Sequence, residues 1–338
     1  MADAPAAPVP VVGAISTPGR ERPMEDAISV RPHLYSPYIN RNLPIDFFAV
    51  YDGHGGPHAA GLLRDRMHLI LIDELMTVRI SLDLTSGSSS SGTESSIARR
   101  ERLEAQRIKG AWKRVLRRCF QRIDEMALVT CSECGIGVPC GCPPVTLGMS
   151  GSTAVLVILT ADSIIAANCG DSRAVLSRGG MTLPLSYDHK PDRIDERSRI
   201  EALGGRVEFG DRARVQGILS MSRAIGDKYL KPYISAEPEL SIIKRIPEDE
   251  FLILASDGLW DVVSSETACH VARMCLRGED PAGNHNFMPW VEGADGGAIF
   301  SSRSAVAAAL LTRLAVGRKS LDNISVIVVD LKRIYTGV

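Results

Sequence analysis

The 338-residue chain has almost no net charge: 39 Lys and Arg against 40 Asp and Glu leave −1 at pH 7. No overall basic field exists to hold a phosphate backbone, so nucleic acid is not expected as a partner. Long apolar runs are missing too. The longest, Ala305 to Leu311, has seven residues, far below the roughly 18 to 20 that a membrane-spanning helix requires, and no membrane partner is expected. The first 19 residues contain no Lys or Arg and no sustained apolar segment. Neither a secretory signal nor an Arg-rich transit peptide is expected there, which points to the nucleus and/or cytoplasm. Cysteine is not abundant either: of eight, Cys119, Cys169, Cys269 and Cys275 fall inside apolar periodic stretches, where a reduced thiol acts as a small hydrophobe. A disulfide scaffold is not expected.

Hydrophobic residues make up 45% of the chain and charged residues 23%, enough for a substantial core and incompatible with wholesale disorder. Residues 1–18 are rich in Ala and Pro and read as a flexible lead-in to a single domain over 19–334. Ile45–Val50 is an apolar run of strand length that stops at Asp52-Gly53. From Pro57 the period lengthens: Ala60, Leu63, Met67, Ile70 and Leu71 recur at helical spacing, with Pro suited to the first turn. A Ser-rich stretch at 85–96 cannot bury enough apolar surface to offset its ordering entropy and reads as a disordered insertion.

A second helix is predicted over Ile97–Leu128, basic on its outer face, with Leu103, Ile108, Trp112, Leu116 and Ile123 as its buried stripe. Ala154–Leu159 and Ile164–Cys169 read as a hairpin of buried strands, and Arg173–Ser177 as a third strand. Asp192–Leu203 is helical and stops at Gly204-Gly205. Later strands are Phe251–Ala255 and Ile324–Leu331; later helices are Ser265–Arg277 and Ser302–Val316. A Cys-rich loop at 131–149 and a loop near 278–300 interrupt the pattern. Strands in groups, with helices collected before and after them, imply an α+β arrangement of packed sheets covered by helices, not strict βαβ alternation.

The chemistry gathers at strand ends. FFAVYDGHGG and LILASDGLWD each run a buried strand into Asp-Gly, placing Asp52 and Asp257 at strand termini, and Gly53 and Gly258 let backbone approach a ligand. Each Asp alone is a turn or cap signal. Together with Asp171 in NCGD, Glu25 and Asp26 in MED, Asp261, and Asp322 in DNIS, they form a set of acids without matching Lys or Arg, costly unless divalent cations neutralise it. All-oxygen donors favour Mg²⁺ or Mn²⁺ over zinc. Two such ions about 4 Å apart can hold phosphate oxygens and activate water for in-line attack, and His54, next to Gly53, is the nearest proton donor for a leaving group.

The ordered blocks MED, YDGHGG, SGSTA, NCGDSRAVL, DHKP, GILSMSRAIGD, ASDGLWDV and DNISVIVVDL resemble the metal-dependent type 2C Ser/Thr protein phosphatases across 19–332. The runs MSRAIGDKYLKP and DHKPDR resemble the plant branch that serves as abscisic-acid co-receptors. The resemblance implies a four-layer αββα sandwich with metals at one end. It implies two or more Mg²⁺ or Mn²⁺ held by Asp52, the Gly53 carbonyl, Asp257 and Asp322, with Glu25 and Asp26 acting directly or through water. Asp171 and Asp261 match the acids around a third, weaker ion, His54 the general acid, and Arg223 the Arg of the Ser-Arg block. Implied partners are phosphoprotein substrates, Ser/Thr kinases among them, and abscisic-acid receptors; the implied role is negative regulation of that hormone's kinase signalling.

There are two departures. The family's phosphate-gripping Arg falls on Glu21, leaving Arg22 or Arg20 to take its place, and Glu21 keeps open a second reading, a weakly active protein that sequesters kinases or receptors. The co-receptor flap Trp falls on Gly210, beside Phe209, which implies weakened inhibition by receptor. Finally, Cys131, Cys134, Cys140 and Cys142 suit either a reduced or redox-sensitive surface loop or a zinc site with unusually tight Cys-Gly-Cys spacing.

Overall fold

The computed structural model describes residues 9–20, 23–78, 94–129, 148–278 and 302–335. The expected flexible lead-in is instead largely a strand, β1 (Val9–Thr17), paired antiparallel with the last strand, β15 (Ile324–Tyr335). Its prolines hid it. At a sheet edge Pro10 costs little, because no outer ladder needs its missing N–H. Ile15 packs toward the helices and Val12 toward the facing sheet. Gly13 lets a helix backbone press close, since a Cβ there would overlap the Ser304 carbonyl.

One five-stranded sheet combines β2 (Ala27–Tyr35), β3 (Ile45–Tyr51), β6 (Ala154–Leu159), β7 (Ser163–Cys169) and β13 (Glu239–Lys244) in the order β13-β7-β6-β3-β2. The other runs β1-β15-β14-β8-β9, with β8 (Arg173–Arg178), β9 (Met181–Pro184) and β14 (Asp249–Ala255). Both are antiparallel throughout.

Alternation along each strand feeds three cores. Phe47, Ala49 and Tyr51 face α1 (His58–Thr77) and α2 (Glu94–Ala127), whereas Phe48 and Val50 meet Leu252, Leu254, Ile327 and Val329 between the sheets. Ile253, Ala255, Val326 and Val328 turn the other way, onto the last two helices: Ser265–Arg277, which with two short intervening helices is α5, and Arg303–Gly317, α6. The intervening helices are α3 (Ile194–Ala202) and α4 (Asp257–Trp260). The order helices, sheet, sheet, helices is the expected αββα sandwich. Each fully buried Phe, Leu or Ile contributes roughly 1.5 to 3 kcal/mol of transfer free energy.

Of the predicted α2 stripe, Ile108, Trp112, Leu116 and Ile123 pack as expected, but Leu103 is exposed. It lies a turn beyond the part of α2 that the sheet underlies. Cys119, Cys169, Cys269 and Cys275 are buried free thiols. The Cys-rich segment through 147, the 279–301 loop and most of the Ser-rich stretch lie outside the described residues, although α2 already begins at Glu94.

Candidate active site

At one end of the sandwich, β3 and β14 stop and deliver Asp52 and Asp257 to a cleft of about 550 Å³, also lined by Gly53, His54, Asp261 and Asp322. Six residues chosen from the sequence therefore share one cavity. Gly53 and Gly258 are there because the backbone is crowded: a Cβ would overlap the Glu25 carbonyl at the first and the Asn323 carbonyl at the second. Behind the cleft, Asn323 secures the acidic N-terminal segment. Its Oδ1 accepts from the amides of Glu25 (2.6 Å) and Asp26 (3.3 Å), and its Nδ2 donates to the Pro23 carbonyl (3.1 Å). Glu25 in turn accepts from the Gly56 amide at 2.8 Å.

The acids raise one another's pKa. Burial, then the charges of Asp26, Asp257, Asp171 and Asp322, hold the Asp52 carboxyl well above the usual range. Asp257 is pushed up to about 8 by burial, Asp171 and Asp261, and Asp26 to about 6, chiefly by burial. Both Asp26 carboxylate oxygens and Asp171 Oδ1 are buried without a hydrogen-bond partner. Such orphaned, mutually repelling oxygens are what a hard divalent cation satisfies. Among the described residues no three acidic, His or Cys side chains close on one point as a finished ligand cage. The donor set nonetheless fits Mg²⁺ or Mn²⁺ with backbone carbonyl and water completing the shell.

His54 sits on a small sheet, β12-β5-β4, made of β4 (Gly53–His54), β5 (Gly151–Ser152) and β12 (Ile225–Gly226). The chain leaving β12 brings Asp227, which sequence reasoning did not single out, to both sides of His54 Nε2, at 2.8 and 2.9 Å. Gly151 leaves the room, because a Cβ there would overlap Asp227 Oδ2. Burial would lower the His54 pKa, but Asp227 outweighs it, helped by Asp171 and Glu25, and the imidazole is held above its ordinary value. A signal for Asp227 existed: it ends GILSMSRAIGD, a block already noted.

Arg223 does not belong to the cleft. Its guanidinium is bound to Glu196 (Nη2 2.5 Å, Nε 2.9 Å) and to the Glu237 carbonyl, and Arg199 and Ser222 hold the same Glu196. The assignment as a catalytic residue is thus corrected to a structural one; a buried carboxylate on α3 has captured the guanidinium. Arg20 also points elsewhere, toward the Val316 carbonyl at 3.5 Å. Glu21 and Arg22 lie outside the described residues.

A hairpin of β10 (Val207–Phe209) and β11 (Ala213–Val215) carries Arg212 and Arg214 to the rim of the cleft. At its tip nothing lies within 4 Å of where a Gly210 Cβ would stand, and the exposed Phe209 ring is covered by Arg197 at 5.2 Å.

A family model described as "Protein phosphatase 2C" matches residues 141–287. The chain is 51% identical over 324 residues to "Probable protein phosphatase 2C 75" of Arabidopsis thaliana, covering 96% of this chain and 74% of that protein. It is 44% identical to "Probable protein phosphatase 2C 68" of Oryza sativa subsp. japonica, with 95% and 78% covered. Among solved structures, a serine-threonine phosphatase 2C from Toxoplasma gondii superposes with a TM-score of 0.66 at 20% identity over 96% of this chain and 98% of that one.

Proposed function

The chain belongs to the protein phosphatase 2C family and is a metal-dependent protein-serine/threonine phosphatase, and from that premise we propose that it works with two Mg²⁺ or Mn²⁺ ions on phosphoserine and phosphothreonine. The observation that carries this reading is the cluster of Asp52, Asp257 and Asp322 in one cleft, with carboxyls whose protons are retained well above the usual range until cations replace them. Asp52, the Gly53 carbonyl, Asp257 and Asp322 would hold the ions, with Glu25 and Asp26 behind them. When bound, the ions supply Lewis acidity toward phosphate oxygens and activation of water.

The remaining steps belong to the chain. Asn323 keeps the Glu25–Asp26 segment against the cleft. Asp227 fixes the His54 ring by Nε2 and favours its protonated form, leaving Nδ1, which has no partner, to give its proton to the leaving alkoxide of serine or threonine. Asp227 thus orients and charges the acid without touching substrate. Turnover of a phosphoserine peptide that requires Mn²⁺ tests the reading. A purified protein that binds such peptides but does not turn them over with saturating Mn²⁺ would favour the sequestering reading that Glu21 left open.

The physiological role we propose is negative regulation of abscisic-acid kinase signalling in the nucleus and/or cytoplasm, with Ser/Thr kinases as substrates and the hormone's receptors as partners of reduced grip. The resemblance of MSRAIGDKYLKP and DHKPDR to the co-receptor branch supports it. Gly210 lacks the area and the hydrogen-bond donor of an indole anchor. Because its surroundings are open, Gly210→Trp should make the enzyme markedly more inhibitable by hormone-bound receptor. An unmodified protein already strongly inhibited at low receptor concentration would refute the weakened grip.

A further inference from the structure

Two cations reach the acidic cleft from segments that supply none of its acids. Lys190 Nζ lies 2.5 Å from Asp171 Oδ2 and 4.0 Å from Asp261 Oδ1, and Arg212 Nη2 lies 2.7 Å from Asp261 Oδ2. Among the described residues no Lys or Arg stands within ion-pair distance of Asp52 or Asp257. The cleft is therefore divided into an inner part without cations of its own and an outer part that has two.

We propose that Lys190 and Arg212 are built-in counter-cations of Asp171 and Asp261, so that a further Mg²⁺ or Mn²⁺ can bind at these outer acids only by displacing them. The inference rests on the two-ion reading of the inner acids. A divalent ion in contact with Asp171 Oδ2 would stand where the ammonium stands, and like charges at such separations repel by several kcal/mol even at an effective dielectric constant of about 20. The two cations are not equivalent. Lys190 is largely enclosed and faces a wholly buried carboxylate, whereas the Arg212 side chain is 56% exposed and returns to water at little cost. Lys190 is the stronger gate. Because Arg212 sits between β10 and β11, ion entry would also release that hairpin from Asp261.

Equilibrium dialysis against Mn²⁺ at fixed ionic strength, with bound metal counted by atomic absorption, tests this on the parent, Lys190→Met and Arg212→Leu. The inner ions should bind alike in all three. One additional, weaker ion should bind about tenfold or more tightly in Lys190→Met and a few-fold more tightly in Arg212→Leu. Superimposable isotherms would overturn the inference, as would loss of an ion in Lys190→Met, which would make the lysine a support for the ligands. Should Lys190→Met fail to fold, the exposed Arg212 position carries the same test. A parent that takes up no Mn²⁺ would overturn the two-ion reading and this inference with it, whereas intact inner ions beside an unaltered outer one sink this inference alone.

Discussion

Glu196 and Asp257 are acids in one domain with opposite electrostatic fates. Burial alone would raise the Glu196 pKa, but Arg223, Arg199 and Ser222 outweigh it and bring it down to about 2. Asp257 has Asp171 and Asp261 as neighbours and rises to about 8. The first acid is provided with cations by the fold, and its business is to join α3 to the loop that carries Ser222 and Arg223. The second is left to repel its neighbours, a cost that only an external cation removes. A carboxylate compensated from within marks architecture, and one left uncompensated marks the place where chemistry is done.

The contrast breaks most visibly in the cleft. Asp52→Asn or Asp257→Asn should lower Mn²⁺-dependent phosphopeptide turnover by about 10³ or more. The same variants should melt no lower than the parent in EDTA, because each removes a repelling charge. A metal-free variant that is clearly destabilised would show that these acids are structural after all.

Asp227→Asn stands between the two cases, since it keeps the shape around His54 and removes the charge that holds the proton. We expect kcat to fall roughly 10² with little change in KM. A rise in KM with unchanged kcat, read from steady-state kinetics, would place Asp227 in substrate binding instead.

Glu196→Gln probes the compensated side. It should destabilise the fold by about 3 kcal/mol in chemical denaturation, because Arg223 and Arg199 lose a buried partner, while Mn²⁺ binding stays unchanged. The folded pKa of about 2 lies below the ordinary 4.5, so the ionised form is favoured by folding. The stability it adds is present above about pH 4.5 and lost as pH falls toward 2. The gap between parent and variant should close over that window; a gap that persists at pH 2 would come from packing and not from charge.

The smallest effect is expected at Arg20, which contacts the end of α6. Arg20→Ala should change phosphopeptide KM by less than about twofold, and a large loss of affinity would return Arg20 to the phosphate site.

Much of this was legible in the chain itself. Period-two runs ending in Asp-Gly at Asp52 and Asp257 are local signals, set by strand sterics and turn chemistry within a few residues, and they located the cleft and its acids before any tertiary contact was known. The αββα order also followed, through the resemblance that the motif blocks carry. β1 was missed because prolines that break a central strand are harmless at an edge, and edge position is a property of the whole sheet. The partners of charged side chains were decided by tertiary structure alone. Arg223 went to Glu196, Asp227 to His54, and Lys190 and Arg212 to Asp171 and Asp261, across separations of 27, 173, 19 and 49 residues. Charge attracts without regard to sequence, so which cation meets which acid waits until loops close around them.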